Sequence, residues 1–140
     1  GAMKAGQAFA NAPVAAVHAL AYPLGGNYHI SHGLTNSLVL PHVLRFNLRD
    51  ASSMYAELAS IVCDTPDMQE NDAAASLALV EYFEELPKRL RLQVSLREMN
   101  IPYEDLPRLA EEAMLQQRLL INNPRELKLE NALEIYKRAF

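Results

Sequence analysis

Apolar positions recur along this chain at the three- and four-residue spacing of amphipathic helices. Half of the 140 residues are hydrophobic and only five are glycine. Alternating runs rich in Val, Ile and Thr, which are typical of strands, are missing. The pattern therefore predicts an all-α fold, a multi-helix bundle, and the length is that of one domain with a core of its own.

The first half of the chain divides into predicted helices at proline and glycine. An alanine-rich helix is expected to break near Asn11 and to restart at Pro13. Gly25-Gly26 is expected to end that second helix. The next helix, over residues 32–46, is apolar on almost every side and contains Pro41, so we expect it to be central and kinked.

In the second half, polar capping residues mark most of the predicted boundaries. Asp50 is expected to open a helix that ends at 64–66, and Asn71 or Asp72 to cap the following one. Pro87 is expected to begin a new helix, and Asn100 is expected to end it. A further helix begins within 102–107, residues 122–124 form a turn, and a last helix runs over 126–140 with a stripe of Leu129, Leu133 and Tyr136.

Charge and cysteine content narrow the possible partners. The net charge of −4 argues against nucleic acid and anionic membrane, which both require a concentrated basic surface. No apolar stretch approaches the roughly 20 residues that span a bilayer. The single cysteine, Cys63, lies in an apolar run and is interpreted as a small buried hydrophobe. A lone cysteine suggests a reducing compartment, and we expect the cytoplasm.

Three of the four histidines lie close together in sequence, with a tyrosine between them. His18 and Tyr22 are four residues apart on one helix face, and His29 and His32 are three apart beyond Gly25-Gly26. Both pairs can face one point. Imidazole is the commonest protein ligand for transition metals, so the segment predicts half of a metal site. His42, inside an apolar helix, is interpreted as structural.

The run AGQAFANAPVAAVHALAYPLGGNYHISHGLTNSLVLPHVLRFN resembles the signature of the iron-containing (group III) alcohol dehydrogenases. That pattern reads AG-x-AF-x-NA, then H-A-x-A-H-P-L-G, then P-H-G and an apolar L-P-H-V helix. The segments LREMNIPYEDLPRLAEEA and NNPRE look like the C-terminal region of the same family. The resemblance covers the whole chain but only the second half of such an enzyme.

The resemblance implies a helical domain of the dehydroquinate synthase-like type that holds Fe²⁺, or Zn²⁺, beside a separate N-terminal domain for NAD or NADP. Its metal ligands are one aspartate and three histidines. By motif, His18 and His32 correspond to two of those histidines. The remaining aspartate and histidine lie upstream in the family pattern. The ion acts there as a Lewis acid while hydride passes between cofactor and a small alcohol or aldehyde.

Three further positions carry implied roles. Tyr22 stands where many members have a histidine that helps to relay the substrate proton, and a phenol is a poorer base near neutrality. His29 is the alternative catalytic group for that relay, and a surface histidine is its structural interpretation. Phe9 matches the phenylalanine that lines the substrate pocket of relatives, with ordinary core packing as the alternative.

Residues 1–3 are interpreted as an expression-tag remnant. Residues 4–140 are interpreted as one C-terminal helical metal-binding domain, truncated at its N-terminus and inactive without the missing N-terminal cofactor domain. Apolar surface exposed by truncation should favour a homo-oligomer. Two alternatives stay open: a non-catalytic interaction module or natural gene fragment that self-associates, and a protein that completes a four-histidine site by pairing two His18/His32 sets in a dimer.

Overall fold

A computed structural model of the chain describes residues 1–63 and 71–140. Within those two stretches every regular element is a helix, which confirms the all-α prediction. None of the helices described there has both the length and the apolar character needed to cross a bilayer. The α-helices are α1 (Ala2–Asn11), α2 (Ala16–Tyr28), α3 (His32–Val62), α4 (Asp72–Arg89), α5 (Leu106–Met114), α6 (Gln117–Leu120) and α7 (Leu129–Ala139).

The predicted end of the second helix at Gly25-Gly26 is wrong. Helix α2 begins at Ala16 rather than Pro13 and continues through Pro23 and both glycines to Tyr28. The left-handed residue that ends it is His29, at φ 54°, and the His29 N–H donates to the Gly25 carbonyl at 3.0 Å. Glycine costs a helix interior only about 0.5–1 kcal/mol, and the burial of six α2 side chains outweighs that.

Helix α3 is continuous over 31 residues, so the predicted new helix at Asp50 is also wrong. It packs against α4, α2 and α7, in agreement with a central position. Asn47, at the expected boundary, is buried and exchanges two side-chain hydrogen bonds with Asn123, at 3.0 and 2.8 Å. This long-range pairing joins the middle of α3 to the turn at residues 122–124.

Helix α4 begins as predicted, because the Asn71 side chain accepts hydrogen bonds from the N–H groups of Ala73 and Ala74 at 3.1 and 3.2 Å. The predicted break at 64–66 lies outside the described residues. The new helix predicted at Pro87 is wrong, because α4 continues through Pro87 to Arg89. Residues 90–100 form turns rather than a helix.

The C-terminal quarter follows the sequence more closely. Asn100 adopts a left-handed conformation, a 3₁₀ turn over Tyr103–Asp105 leads into α5, and the turn at residues 122–124 is present. The short helix α6 was not predicted. In α7 the buried residues are Ala132, Ile135, Tyr136 and Ala139, so the predicted stripe was right at Tyr136, whereas Leu129 is exposed.

Two clusters of buried side chains fill the interior. The larger one joins α2, the first half of α3, α5 and α7. The smaller one lies between the second half of α3 and α4, around Ala51, Tyr55 and Leu79. Tyr136 is fully buried in the larger cluster, and its hydroxyl donates to the Leu20 carbonyl at 2.6 Å, which fixes α7 to α2.

The hydroxyl of Tyr136 supports a direct test of this packing. We expect Tyr136→Phe to lower the free energy of unfolding by about 1 kcal/mol, because the ring still fills its site while one buried hydrogen bond is lost. Urea denaturation measures the change. Tyr103→Phe is the matched control, since Tyr103 is 52% exposed. Equal stability of the two variants would contradict the assigned role of the hydroxyl.

Candidate metal centre

Helices α2 and α3 bring His18 and His32 together. His18 lies in the first turn of α2, and His32 is the first residue of α3. Their ring centres are 5.1 Å apart, with the ring planes inclined at 56°. The two histidines that the sequence pattern selected as metal ligands are therefore neighbours, although 13 residues of chain lie between them.

The spacing of these two rings fits shared coordination of one ion. Since a metal–nitrogen bond is about 2.0–2.1 Å, two imidazoles on one tetrahedral ion have their ring centres about 5 Å apart. Burial lowers the pKa of His18, and the neighbouring His32 lowers it further. A lowered pKa favours the neutral imidazole, which is the form that binds metal.

Tyr22 completes a cluster of three rings. It lies one turn after His18 on α2, with its ring centre 6.3 Å from that of His18 and 6.4 Å from that of His32. Tyr22 is 39% exposed, so solvent reaches this side of the cluster. The structure thus places the residue expected to relay a proton beside the two candidate ligands.

His29 and Phe9 are not brought to this cluster. His29 is exposed at the end of α2 and is not among the ring contacts of the described chain. Phe9 is 59% exposed on α1, a helix without a buried residue. His42 lies on α3, where burial lowers its pKa.

The two histidines stand without further ligands of the usual kind. Among residues 1–63 and 71–140, no three His, Cys, Asp or Glu side chains come together as a metal-binding group. Catalytic metal sites ordinarily use about three protein ligands. The pair of His18 and His32 in the described residues therefore supplies only part of such a ligand set.

Asn36 contacts His32, although the sequence pattern did not select Asn36 as a site residue. Its Nδ2 atom donates to the His32 carbonyl at 2.8 Å and lies 3.1 Å from the imidazole Nε2. Its Oδ1 atom is buried without a hydrogen-bond partner in the described chain. The i, i+4 spacing from His32 is the sequence signal from which this contact could have been predicted.

An apolar cavity of about 240 Å³ opens beside this contact. Gly33, Asn36, Ser37 and Leu40 of α3 form one wall. The opposite wall comes from the end of α4 and the residues after it, namely Phe83, Leu86, Pro87, Leu90 and Leu92. On the side of this cavity, Asn36 therefore has mostly apolar residues around it.

A polar network fixes the end of α2 to α5. Asn27 donates to Glu112 at 2.6 Å, Tyr28 donates to Asp105, and Arg108 binds Asn27, Asp105 and Glu112 at 2.8 to 3.1 Å. Burial and the bond to Asp105 raise the pKa of Tyr28 to about 12. The Tyr28 hydroxyl and then Arg108 lower the pKa of Asp105. The network anchors the segment that leads into His32.

Comparison with protein families gives one match over the full chain. The model of the Fe-containing alcohol dehydrogenase family, C-terminal part, matches residues 1–140.

Individual relatives agree with this match. The chain is 35% identical over 140 residues to long-chain-alcohol dehydrogenase 1 of Geobacillus thermodenitrificans, covering 100% of this chain and 35% of that protein. It is 32% identical over 136 residues to lactaldehyde reductase of Escherichia coli K12, covering 97% and 35%. The chain therefore spans about a third of the length of these curated relatives.

Solved structures share the fold. An alcohol dehydrogenase from Oenococcus oeni superposes with a TM-score of 0.88 at 30% identity, over 97% of this chain and 35% of that one. A 1,3-propanediol oxidoreductase gives a TM-score of 0.82 at 28% identity, over 90% and 32%.

The Asp105 network predicts a pH-dependent contribution to stability. Because the folded pKa of Asp105 lies below its unfolded value, its contribution is present above an unfolded pKa of about 3.9 and is lost as the pH falls through the folded value. We expect Asp105→Asn to lower the free energy of unfolding at pH 7 and to match the wild type near pH 2, measured by urea denaturation. Glu111→Gln, on the helix α5 that follows Asp105, is the control. A deficit that stays constant from pH 7 to pH 2 would contradict the assignment.

Proposed function

The chain belongs to the iron-containing alcohol dehydrogenases as their C-terminal domain, and on that premise we propose that it forms the metal-binding part of an NAD- or NADP-dependent alcohol dehydrogenase. This proposal rests on one observation, which is that the ring centres of His18 and His32 lie 5.1 Å apart. The chain spans 35% of the length of its relatives, so the proposal concerns the parent enzyme rather than the chain alone.

His18 and His32 would hold Fe²⁺ or Zn²⁺. When bound, the ion supplies Lewis-acid chemistry that polarises the oxygen of an alcohol or aldehyde. The rest of the ligand set, one aspartate and one histidine in the family pattern, would come from outside this chain. The absence of a third ligand group among the described residues is in keeping with that division.

Tyr22 would hold or move the substrate proton beside the ion. Its ring lies within 6.4 Å of both candidate ligands and its side chain is partly open to solvent. His29 is the alternative relay, although it lies exposed at the end of α2. Phe9 would line the substrate pocket, which requires that α1 lie against further chain in the parent enzyme.

The cofactor and the assembly follow from the same proposal. NAD or NADP would bind mainly to the separate N-terminal domain, and the substrate would be a small alcohol or aldehyde. Relatives named lactaldehyde reductase and 1,3-propanediol dehydrogenase support that substrate class. A homo-oligomer is proposed as well, and the exposed Met54, Leu58 and Ile61 on α3 support it.

Calorimetric titration with Zn²⁺, and with Fe²⁺ under anaerobic conditions, tests the metal assignment. We expect the chain to bind one ion weakly, with a Kd above about 1 μM, because only part of the ligand set is present. His18→Ala and His32→Ala should each abolish the heat of binding. The same preparation should not oxidise simple alcohols with NAD.

His29→Ala is the matched histidine control and should leave metal affinity unchanged. Binding that survives His18→Ala and His32→Ala would remove the proposed site. Submicromolar binding abolished by these substitutions would instead mean that the chain completes its own ligand set, and NAD-dependent activity of the chain alone would overturn its role as a partial enzyme.

A further inference from the structure

We propose that Asn36 is a positioning residue for His32. Its amide N–H donates a hydrogen bond to the imidazole Nε2, so that the ring proton lies on Nδ1. An ion held through Nε2 would have to displace this N–H. This inference rests on the proposed function, in which His32 is a metal ligand. It concerns the side chain one turn further along α3, which lies outside the ring cluster itself.

Distances fix the orientation of the Asn36 amide. Nδ2 lies 2.8 Å from the His32 carbonyl oxygen and 3.1 Å from the imidazole Nε2. An amide nitrogen has two N–H groups, which match these two acceptors. The reversed amide would place Oδ1 2.8 Å from the carbonyl oxygen, so that two acceptors would face each other. Asn36 therefore donates both bonds.

The amide orientation decides the tautomer of His32. A neutral imidazole has one protonated and one unprotonated nitrogen. Because Nε2 accepts from Asn36, the ring proton lies on Nδ1. The same lone pair cannot serve an amide and an ion together. An ion held by His32 through Nε2 would have to replace the Asn36 N–H at that nitrogen, while the ring proton would remain on Nδ1.

Asn11, Asn27 and Asn122 also donate to a carbonyl four residues earlier, so that bond alone is ordinary for an asparagine. The contact with the imidazole of His32 is the additional feature of Asn36. Its Oδ1 is buried without a partner in the described chain, and its neighbours along the cavity wall include Leu40 and Leu86. An apolar side chain of similar size would remove the unsatisfied acceptor. What asparagine provides there is the pair of N–H groups, and both contact His32.

Imidazole NMR of the ¹⁵N-labelled chain, kept with a chelator, tests the contact without metal or activity. Long-range ¹H–¹⁵N correlations should show His32 with Nδ1 protonated and Nε2 unprotonated. Asn36→Leu should release the ring to carry its proton on Nε2. Asn36→Asp, whose carboxylate can only accept, should place the proton on Nε2 as well. Ser37→Ala, a change in the same cavity wall, should leave the wild-type pattern.

A protonated Nε2 in the wild type would overturn the proposal. So would a His32 spectrum that is the same in wild type, Asn36→Leu and Asn36→Asp. Because two substitutions of different polarity are compared, a folding defect in the leucine variant leaves the aspartate variant and the wild type to decide the question.

Cobalt(II) titration, followed by visible absorption, measures the competition itself. Loss of one competing hydrogen bond should tighten Co²⁺ binding by Asn36→Leu about two- to tenfold relative to wild type. Unchanged or weaker binding would overturn the displacement step. If the wild-type chain and every variant fail to bind cobalt, the proposed metal site fails, whereas the NMR result still decides whether Asn36 sets the His32 tautomer.

Discussion

The short link between α2 and α3 is the constraint on which the site depends. Only His29, Ile30 and Ser31 separate the two helices, and this link runs back along α2, since the Ile30 carbonyl oxygen lies 3.5 Å from the Cβ position at Gly25. His29 takes a left-handed conformation, uncommon for a non-glycine residue, and Ile30 is drawn into the core. The packing of α2 on α3 then brings the first turn of α2, with His18, to the start of α3.

Contacts from outside the link keep it in place. Asn27 binds Glu112 of α5, and Tyr28 binds Asp105 just before α5. Tyr136 of α7 binds the backbone of α2 at Leu20. These bonds connect the C-terminal part of the chain to the segment between the two candidate ligands. A site of two imidazoles therefore rests on a core that gathers residues from both ends of the chain. Pre-set ligand positions reduce the ordering that metal binding requires.

The sequence predicted the helical class, the Asn71 cap and the start of α5, because these depend on local periodicity and local capping. It failed at Gly25-Gly26, at Asp50 and at Pro87, where residues that favour a break lie inside helices. At Gly25-Gly26 and at Pro87, the burial of other side chains on the same helix outweighs a local preference of about 1 kcal/mol for glycine or about 3 kcal/mol for proline. The pairing of Asn47 with Asn123 has no signal in a single sequence. At the site, motif and spacing selected His18 and His32, whereas the orientation of Asn36 required coordinates.

Crystals of the chain grown with Zn²⁺ and measured at the zinc absorption edge test whether His18 and His32 bind one ion together, as proposed. We expect one anomalous peak about 2.0–2.1 Å from a ring nitrogen of both His18 and His32. A peak bound only by His29 or His42, or by one of the pair with the other ring turned away, would contradict it.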